Sequence, residues 1–378
     1  MMPMSWREPQ RTASHVLPLT YSECRARFLR AALQAAQAVD AHGIPAPGPF
    51  DERLTIDVVH LGAAIPRRAL LILSGVHGVE GFIGSALQSD LLQRLDPTTL
   101  PGDMAVVLVH GVNPWGMAWS RRQNESNVDL NRNWRRSEMD PIHNDAYDRL
   151  HATVCPDTEA LPSLDELFAR VQALVQVQGA TWVADGITKG QYRHADGLHY
   201  GGEQTEASCL TLERIVAQHL TGVERLFTLD LHTGHGPPGA VTLLCDQPPG
   251  SAQYGFLSAL MGAERVEATV DNPDATTALK SGQIANGIGA FLGSPVAYAT
   301  SAELGTVSEG KQLAATVLEN WVARHGNRSD PDHAAAVWRY RYCFTPEDPE
   351  WEQAAMAAGR ELMQASVTAV SGWSDHEQ

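Results

Sequence analysis

The sequence has few cysteines and no long apolar run, and each absence argues against a class of protein. The five cysteines, Cys24, Cys155, Cys209, Cys245 and Cys343, are widely spaced, odd in number and form no CxxC pair. This pattern favours reduced thiols over a disulfide framework. No apolar stretch reaches the ~18 residues that a membrane-spanning helix needs, and residues 1–20 lack the apolar centre of a secretory signal. We therefore expect a soluble, cytoplasmic protein.

Basic residues are also scarce. The chain has 28 lysines and arginines against 44 acidic residues, for a formal net charge of −16. Such a balance disfavours nucleic acids and anionic membranes as main partners. Against this background five arginines cluster in one polar stretch. They are Arg121, Arg122, Arg132, Arg135 and Arg136.

The order of apolar and polar segments predicts an α/β fold in one main domain. Residues 1–20 are expected to form a loose arm, and residues 21–378 a single catalytic domain with an inserted helical and flap segment at about 140–222. Strands that alternate with helices predict a mixed, mostly parallel twisted sheet with helices on both faces. The expected strands are Leu54–Leu61, Ala69–Leu73, Met104–His110, Arg225–Leu231, Val241–Leu244, Arg265–Val270 and Val296–Thr300.

Three further expectations concern the helices and the insertion. A helix is predicted from Ser22 to about Ala41, where His42-Gly43 would end it. Residues 182–202, rich in glycine and aromatic residues, are predicted to form a surface hairpin or flap. A short helix beginning at Trp351 is predicted to pack outside the core.

Chemically active side chains follow three of the predicted strands. His77 and Glu80 come after Ala69–Leu73, His232 directly follows Arg225–Leu231, and Glu303 lies just after Val296–Thr300. The carboxyl ends of parallel strands meet at one edge of a sheet, where ligands usually bind. Two histidines and one glutamate hold zinc in hydrolytic sites and leave a fourth position to water. A lone histidine after a strand is commonly structural, but this combination favours a metal site.

Five motifs carry a resemblance to a known family. They are HGVEG (77–81), NPWG (113–116), RRQNESNVDLNRNW (121–134), DLHTG (230–234) and AELGT (302–306). Their order and spacing resemble the zinc carboxypeptidase superfamily, and within it a metallopeptidase branch known mainly as a domain of unknown function. That branch is related to aspartoacylase and succinylglutamate desuccinylase. The motifs span roughly residues 70 to 310, so the resemblance implies a carboxypeptidase-like fold for most of the chain.

The resemblance also implies roles for individual residues at the metal. His77, Glu80 and His232 would bind one zinc ion, and Glu303 would act as the general base. Asp129 would accept a hydrogen bond from the ring of His77 and so orient it, as carboxylates do behind many metal-bound histidines.

The polar loop would supply the groups that bind the substrate. By resemblance, Asn131 and Arg132 would hold a free carboxylate, since arginine makes a charged, two-pronged contact with such a group. Arg121 would stabilise the developing oxyanion, with Arg122 as the alternative because the alignment of this short loop could shift by one residue. An extended chain would point Asn131 and Arg132 to opposite faces, so a turn is expected there.

The sequence departs from the carboxypeptidase pattern at one place. Those enzymes carry a mobile tyrosine on a loop before the general base, whereas the comparable residues 271–289 contain no tyrosine. The segment that holds Tyr192 and Tyr200 either reaches the pocket or forms a structural flap. His235 is expected to be structural, and Lys280 has no assigned role.

These features lead to three alternative functions. The first is a zinc-dependent hydrolase that cleaves an amide bond adjacent to a free carboxylate, as a carboxypeptidase-like metallopeptidase on small peptides. The second is an N-acyl-amino-acid amidohydrolase of the aspartoacylase type, which is less favoured because no additional β-domain follows the metal motifs. The third is a non-catalytic homologue that binds a carboxylated ligand; it is least favoured because no ligand or base is lost.

Overall fold

A computed structural model describes residues 17–139, 142–270 and 280–373. Most of the expected N-terminal arm, residues 1–16, lies outside the described residues. So do residues 271–279, the first half of the region compared above with the tyrosine loop. Among the described helices, none is both long and apolar enough to cross a membrane.

A single eight-stranded sheet forms the centre of the fold. Its strands are β1 (Asp40–Gly43), β2 (Thr55–Gly62), β3 (Arg68–Ser74), β4 (Met104–His110), β5 (Arg225–Gly234), β6 (Val241–Cys245), β7 (Val266–Ala268) and β8 (Val296–Gly305). Every predicted strand is present. Strands β5 and β8 run further than expected, so that His232 and Glu303 lie within strands rather than after them.

The strands are arranged in the order β1-β2-β4-β3-β5-β8-β6-β7. Strands β4, β3, β5 and β8 are parallel neighbours at the centre, and antiparallel pairs join them to β2 and β6 on either side. The predicted mixed, mostly parallel sheet is confirmed. Because β3 lies between β4 and β5, the connections leave it in both directions, which opens a crevice at the carboxyl ends of these strands.

Helices cover both faces of this sheet. The longer helices are α1 (Tyr21–Gln34), α2 (Gly81–Arg94), α3 (Pro114–Trp119), α4 (Asp145–Val154), α5 (Leu164–Gln178), α6 (Ala180–Thr188), α7 (Ala207–Leu220), α8 (Ala252–Met261), α9 (Ile284–Leu292), α10 (Glu309–His325), α11 (Pro331–Phe344) and α12 (Pro349–Gly372). Alternate side chains of β3 enter two separate cores. Leu70 and Ile72 pack with α2 and α12, whereas Leu71 and Leu73 pack with α7 and α9. This two-sided burial explains the continuous apolar runs of the central strands.

Two helix predictions and part of the hairpin prediction were wrong. Helix α1 ends at Gln34, and Asp40–Gly43 pairs with β2 as a strand instead of ending the helix. Helix α12 is a 24-residue element, not a short outer one, and its buried residues, including Leu362 and Val367, belong to the larger core. Helix α6 occupies the first part of the predicted hairpin. In the 140–222 segment, α4 to α6 form a small core of their own against α10.

Candidate metal centre and active site

The corner after β3 positions the first pair of candidate ligands. The chain turns at His77 into a short 3-10 helix, Gly78–Glu80, so that both side chains face the same side. Gly78 is needed here, because a Cβ atom at this position would lie 2.0 Å from the carbonyl carbon of Gly116 in α3. The amide of Val79 donates to the carbonyl of Arg121 at 2.9 Å, which ties the corner to the polar loop.

Strands β5 and β8 position the second pair. His232 and Glu303 are direct partners in the parallel register of these neighbouring strands. Side chains at paired positions point to the same face of a sheet, so the imidazole and the carboxylate lie side by side. The backbone amide of His235 donates to Glu303 at 3.4 Å.

Two imidazoles and one carboxylate converge in the buried crevice. The Nδ1 atoms of His77 and His232 are 3.1 Å apart, and they lie 3.0 and 2.9 Å from the carboxylate oxygens of Glu80. All three residues are at most 4% exposed. Burial alone would raise the pKa of Glu80, but the neighbouring imidazoles hold it well below its usual range.

The outer nitrogen of each histidine contacts a different buried carboxylate. His77 Nε2 lies 3.1 Å from Asp129 Oδ1, and His232 Nε2 lies 2.7 Å from Asp230 Oδ2. Such partners place the ring proton on Nε2, which leaves the Nδ1 lone pairs of both rings facing each other. Two lone pairs this close repel each other unless a cation lies between them. A His, Glu, His set oriented in this way fits zinc, whose fourth position would remain open.

The two neighbouring arginines of the polar loop point to different places. Arg122 donates from Nε to Asp129 at 3.0 Å and from Nη1 to Glu80 at 2.9 Å. Arg121 instead forms an ion pair with buried Glu319 of α10, with Nε 3.0 Å from the carboxylate. The two adjacent side chains thus have different partners. This geometry favours Arg122, the alternative, as the arginine next to the candidate metal ligands, and the role of either arginine stays a prediction.

The turn expected at Asn131 and Arg132 is present as a 3-10 turn, Leu130–Arg132. Its backbone is held by Asp129, whose side chain accepts from the amide of Asn131 at 3.0 Å. Asn131 Oδ1 accepts from the amide of Ile284 at 2.9 Å. Arg132 is buried and donates to the carbonyl groups of Asn131 and Thr188, each at 2.8 Å. The binding of a carboxylate by Asn131 and Arg132 remains a prediction.

Two residues of the cluster were missed by the sequence reasoning. Asp230 orients His232, and its signal was available, because residues two apart on a strand share a face. His199 lies 3.3 Å from the second oxygen of Asp129, and burial lowers its pKa to about 4. No local pattern indicated His199, since it reaches the site from the distant flap with a left-handed backbone (φ 51°).

The flap that carries the two tyrosines packs on the polar loop. The hydroxyl of Tyr192 donates to the carbonyl of Arg132 at 2.8 Å, and the carbonyl of Tyr200 accepts from the amide of Asp129 at 2.7 Å. Arg136 lies over the ring of Tyr192 at 4.4 Å. The segment therefore supports the site through its backbone and through His199, while its tyrosines have structural contacts.

His235 lies beside the candidate general base, between two acidic residues. Its ring nitrogens are 2.8 Å from Glu267 and 3.3 Å from Glu309. Burial alone would lower the pKa of His235, but these carboxylates raise it to about 10. The charged imidazole fastens the loop after β5 to β7 and α10, which agrees with the structural role expected for it.

A comparison of sequences with known families gives one match. A family described as "Protein of unknown function (DUF2817)" matches residues 18–358. The chain belongs to this family. No curated protein matches this DUF2817 sequence. The family agrees with the expected domain-of-unknown-function branch of the zinc carboxypeptidase superfamily.

Solved structures resemble the DUF2817 chain in fold. Bovine thrombin-activatable fibrinolysis inhibitor, in complex with tick carboxypeptidase inhibitor, has 11% identity and a TM-score of 0.50, covering 94% of this chain and 98% of its own. A metallo-carboxypeptidase from Burkholderia cenocepacia has 14% identity, a TM-score of 0.40, and coverage of 82% and 69%. Succinylglutamate desuccinylase from Chromobacterium violaceum has 14% identity, a TM-score of 0.37, and coverage of 82% and 74%. The first match establishes the carboxypeptidase-like fold.

Proposed function

We propose that this protein is a zinc-dependent hydrolase that cleaves an amide bond next to a free carboxylate, in the manner of a carboxypeptidase on small peptides. One observation carries the proposal. The Nδ1 atoms of His77 and His232 meet the carboxylate of Glu80 in one buried crevice, and the strand partner of His232 is Glu303. Such a set combines metal ligands with a carboxylate that is free to accept a proton.

Amide hydrolysis requires an activated water, a polarised carbonyl group and a proton for the leaving amine. His77, Glu80 and His232 would hold a zinc ion, which would supply Lewis acidity and a bound water with a pKa of about 7. In our proposal Glu303 takes a proton from the attacking water as the new C–O bond forms. It then delivers that proton to the amine nitrogen as the C–N bond breaks.

Two arginines, Arg122 and Arg132, have roles in this proposed mechanism. Arg122, which contacts Glu80 and Asp129, carries the permanent positive charge nearest to the ligands and would stabilise the developing oxyanion. Asn131 and Arg132 would bind the free carboxylate of the substrate. For Asn131 this uses the amide nitrogen, since its Oδ1 already accepts from Ile284.

The deacylase alternative is less well supported. Between β8 and Gly372 the described chain consists of helices α10, α11 and α12 and their connections. The described residues after the metal motifs thus contain no further β-structure of the kind that the aspartoacylase-type architecture would add. Peptide substrates with a free C-terminal carboxylate are therefore the first to assay.

The proposal is tested by removing the metal and the base separately. Chelation should abolish hydrolysis of a dipeptide panel, and added zinc should restore it. Glu303→Gln should lower kcat by at least about 10²-fold while the zinc content stays at one per chain, because the general base is lost and the ligands remain. His232→Ala, the matched ligand variant, should lose zinc as well as activity. An unchanged rate in Glu303→Gln would remove Glu303 from the mechanism.

A further inference from the structure

A cavity of about 470 Å³ lies on the same side of the sheet as the catalytic crevice. Its floor includes Thr228 of β5 and Ala299 of β8, which are partners in the register of these strands. Both positions are four residues before His232 and Glu303, so their side chains point to the same face as those of the ligand and the base. Four residues of a strand span about 13 Å. The cavity is thus a recess on the sheet face that carries Glu303, four residues further back along β5 and β8.

Helix α9 forms the opposite wall of this recess. Gly289 makes the close packing possible, because a Cβ atom there would lie 2.3 Å from the side chain of Ala297. Trp134, which follows the carboxylate-binding turn, closes another side. The recess therefore lies between β8 and Trp134, two residues beyond the Leu130–Arg132 turn.

Most polar groups in this recess already have partners. The two carboxylate oxygens of Asp246 accept from Thr269 at 2.5 Å and from Asn286 at 2.6 Å. The side-chain amide of Gln253 donates to the carbonyl of Ala299 at 3.0 Å and accepts from its amide at 3.4 Å. These groups therefore have few hydrogen-bonding positions left for a ligand.

Two donors in the recess differ from the rest. Within the described part of the chain, the ammonium of Lys280 has neither a hydrogen bond nor an ion pair, and the buried hydroxyl of Thr228 has no partner. Burial and the nearby charge of Arg132 lower the pKa of Lys280 to about 8, while Glu303 and Asp246 act in the opposite direction. The ammonium therefore still carries its charge at neutral pH.

From these contacts we infer that Lys280 selects substrates in which the residue bearing the free carboxylate also has an acidic side chain. The leaving amine would then be a dicarboxylic amino acid, with its side-chain carboxylate paired to Lys280 in the recess. This inference rests on the proposed function, since it names the substrate class of that site. The carboxylate of Asp246 also lies in the recess, where it accepts hydrogen bonds from Thr269 and Asn286.

The inference is tested with dipeptides that differ only in the last residue, glutamate, the isosteric glutamine or leucine. A hydrogen bond to a charged group in a desolvated site corresponds to about a 10- to 100-fold preference in kcat/KM for glutamate over glutamine. Lys280→Met should remove this preference by lowering the value for glutamate, with little change for glutamine. Lys189→Met, at an exposed lysine that pairs with Asp185, is the matched control and should leave the preference intact.

A second measurement separates this inference from the proposed function. Titration calorimetry of Glu303→Gln with L-glutamate and L-glutamine reports on the recess without turnover, and Lys280→Met in that background should weaken glutamate binding by about tenfold or more. Hydrolysis of all three dipeptides at equal rates would overturn the role of Lys280 and leave the hydrolase standing. Glutamate binding that depends on Lys280 without hydrolysis would support the recess and refute the hydrolase. No binding preference and no hydrolysis would refute both.

Discussion

Exchanging Arg121 or Arg122 for glutamine should separate stability from catalysis at two adjacent positions. The substitutions remove the same charge from the same loop, so each variant is the matched control of the other. Arg122 contacts Glu80 and Asp129, whereas Arg121 forms an ion pair with Glu319. We therefore expect Arg122→Gln to lose activity and Arg121→Gln to lose stability.

The expected magnitudes follow from what each arginine leaves behind. Glu319 is 1% exposed, and its other basic partner, Arg328, lies 3.5 Å away. Breaking a buried ion pair by removing one partner costs about 3–5 kcal/mol, because the remaining charge stays buried. The two carboxylates that contact Arg122 keep other hydrogen-bonding partners when it is removed. Asp129 keeps His77 and the amide of Asn131, and Glu80 keeps both histidines, so the loss of stability should be smaller.

The turnover number kcat should fall more in Arg122→Gln than in Arg121→Gln, the reverse of the order expected for stability. Removing one donor that stabilises an oxyanion lowers kcat by about 10²–10³. Arg122→Gln should fall in this range, and Arg121→Gln should keep kcat within a few-fold at a temperature where it is folded. Urea unfolding followed by circular dichroism measures the first quantity, and steady-state hydrolysis of a dipeptide with zinc-loaded protein measures the second. A loss of kcat in Arg121→Gln, with normal unfolding and an active Arg122→Gln, would refute the placement of these side chains.

Two further predictions concern Asp230, which contacts the candidate ligand His232, and His110, which lies outside the site. Asp230→Asn should lower zinc affinity by about 10- to 100-fold in a competition assay with a chelator, because the carboxylate that orients His232 is lost; unchanged affinity would contradict this role. Burial lowers the pKa of His110 from 6.5 to about 4 in the folded protein, so the unfolded chain binds more protons between these values. Stability should therefore fall as the pH drops from about 6.5 to 4, by up to about 3 kcal/mol from this group, and His110→Gln should show a shallower pH dependence of urea unfolding. An equally steep dependence in that variant would contradict the assignment.

The strands and the residues at their ends were predictable because buried strands appear in the sequence as continuous runs of apolar residues. A central parallel strand is covered on both faces, so β3 and β4 appear as unbroken apolar runs. The crevice forms where such runs end, which is why His77, His232 and Glu303 could be grouped before any geometry was known. Helix α12 was less visible, since alanine and glycine on its buried face gave a weak apolar signal.

The remaining site residues could not be predicted because their positions depend on irregular backbone. In the stretch after α3, a shift of one residue exchanges Arg121 for Arg122, and the hydrogen bonds from the amides of Val79 and Gly78 to the carbonyls of Arg121 and Arg122 decide between them. His199 is another example. It reaches Asp129 from a flap 70 positions away, and the flap is placed by hydrogen bonds to backbone carbonyls, which leave no periodic pattern in the sequence.

The pairing of β5 with β8 places the candidate metal ligand His232 beside the candidate general base Glu303. His232 and Glu303 share one register position, so a slip of one residue would turn Glu303 to the opposite face of the sheet. The register is maintained over ten consecutive pairs, from Arg225–Val296 to Gly234–Gly305, and this rigid part of the site would tolerate little change. The recess on the same face is bounded by α9 and by Lys280, which lies on a connection. In our proposal, changes there alter substrate choice without moving the candidate ligands or the candidate base, so an exchange of Lys280 tests specificity alone.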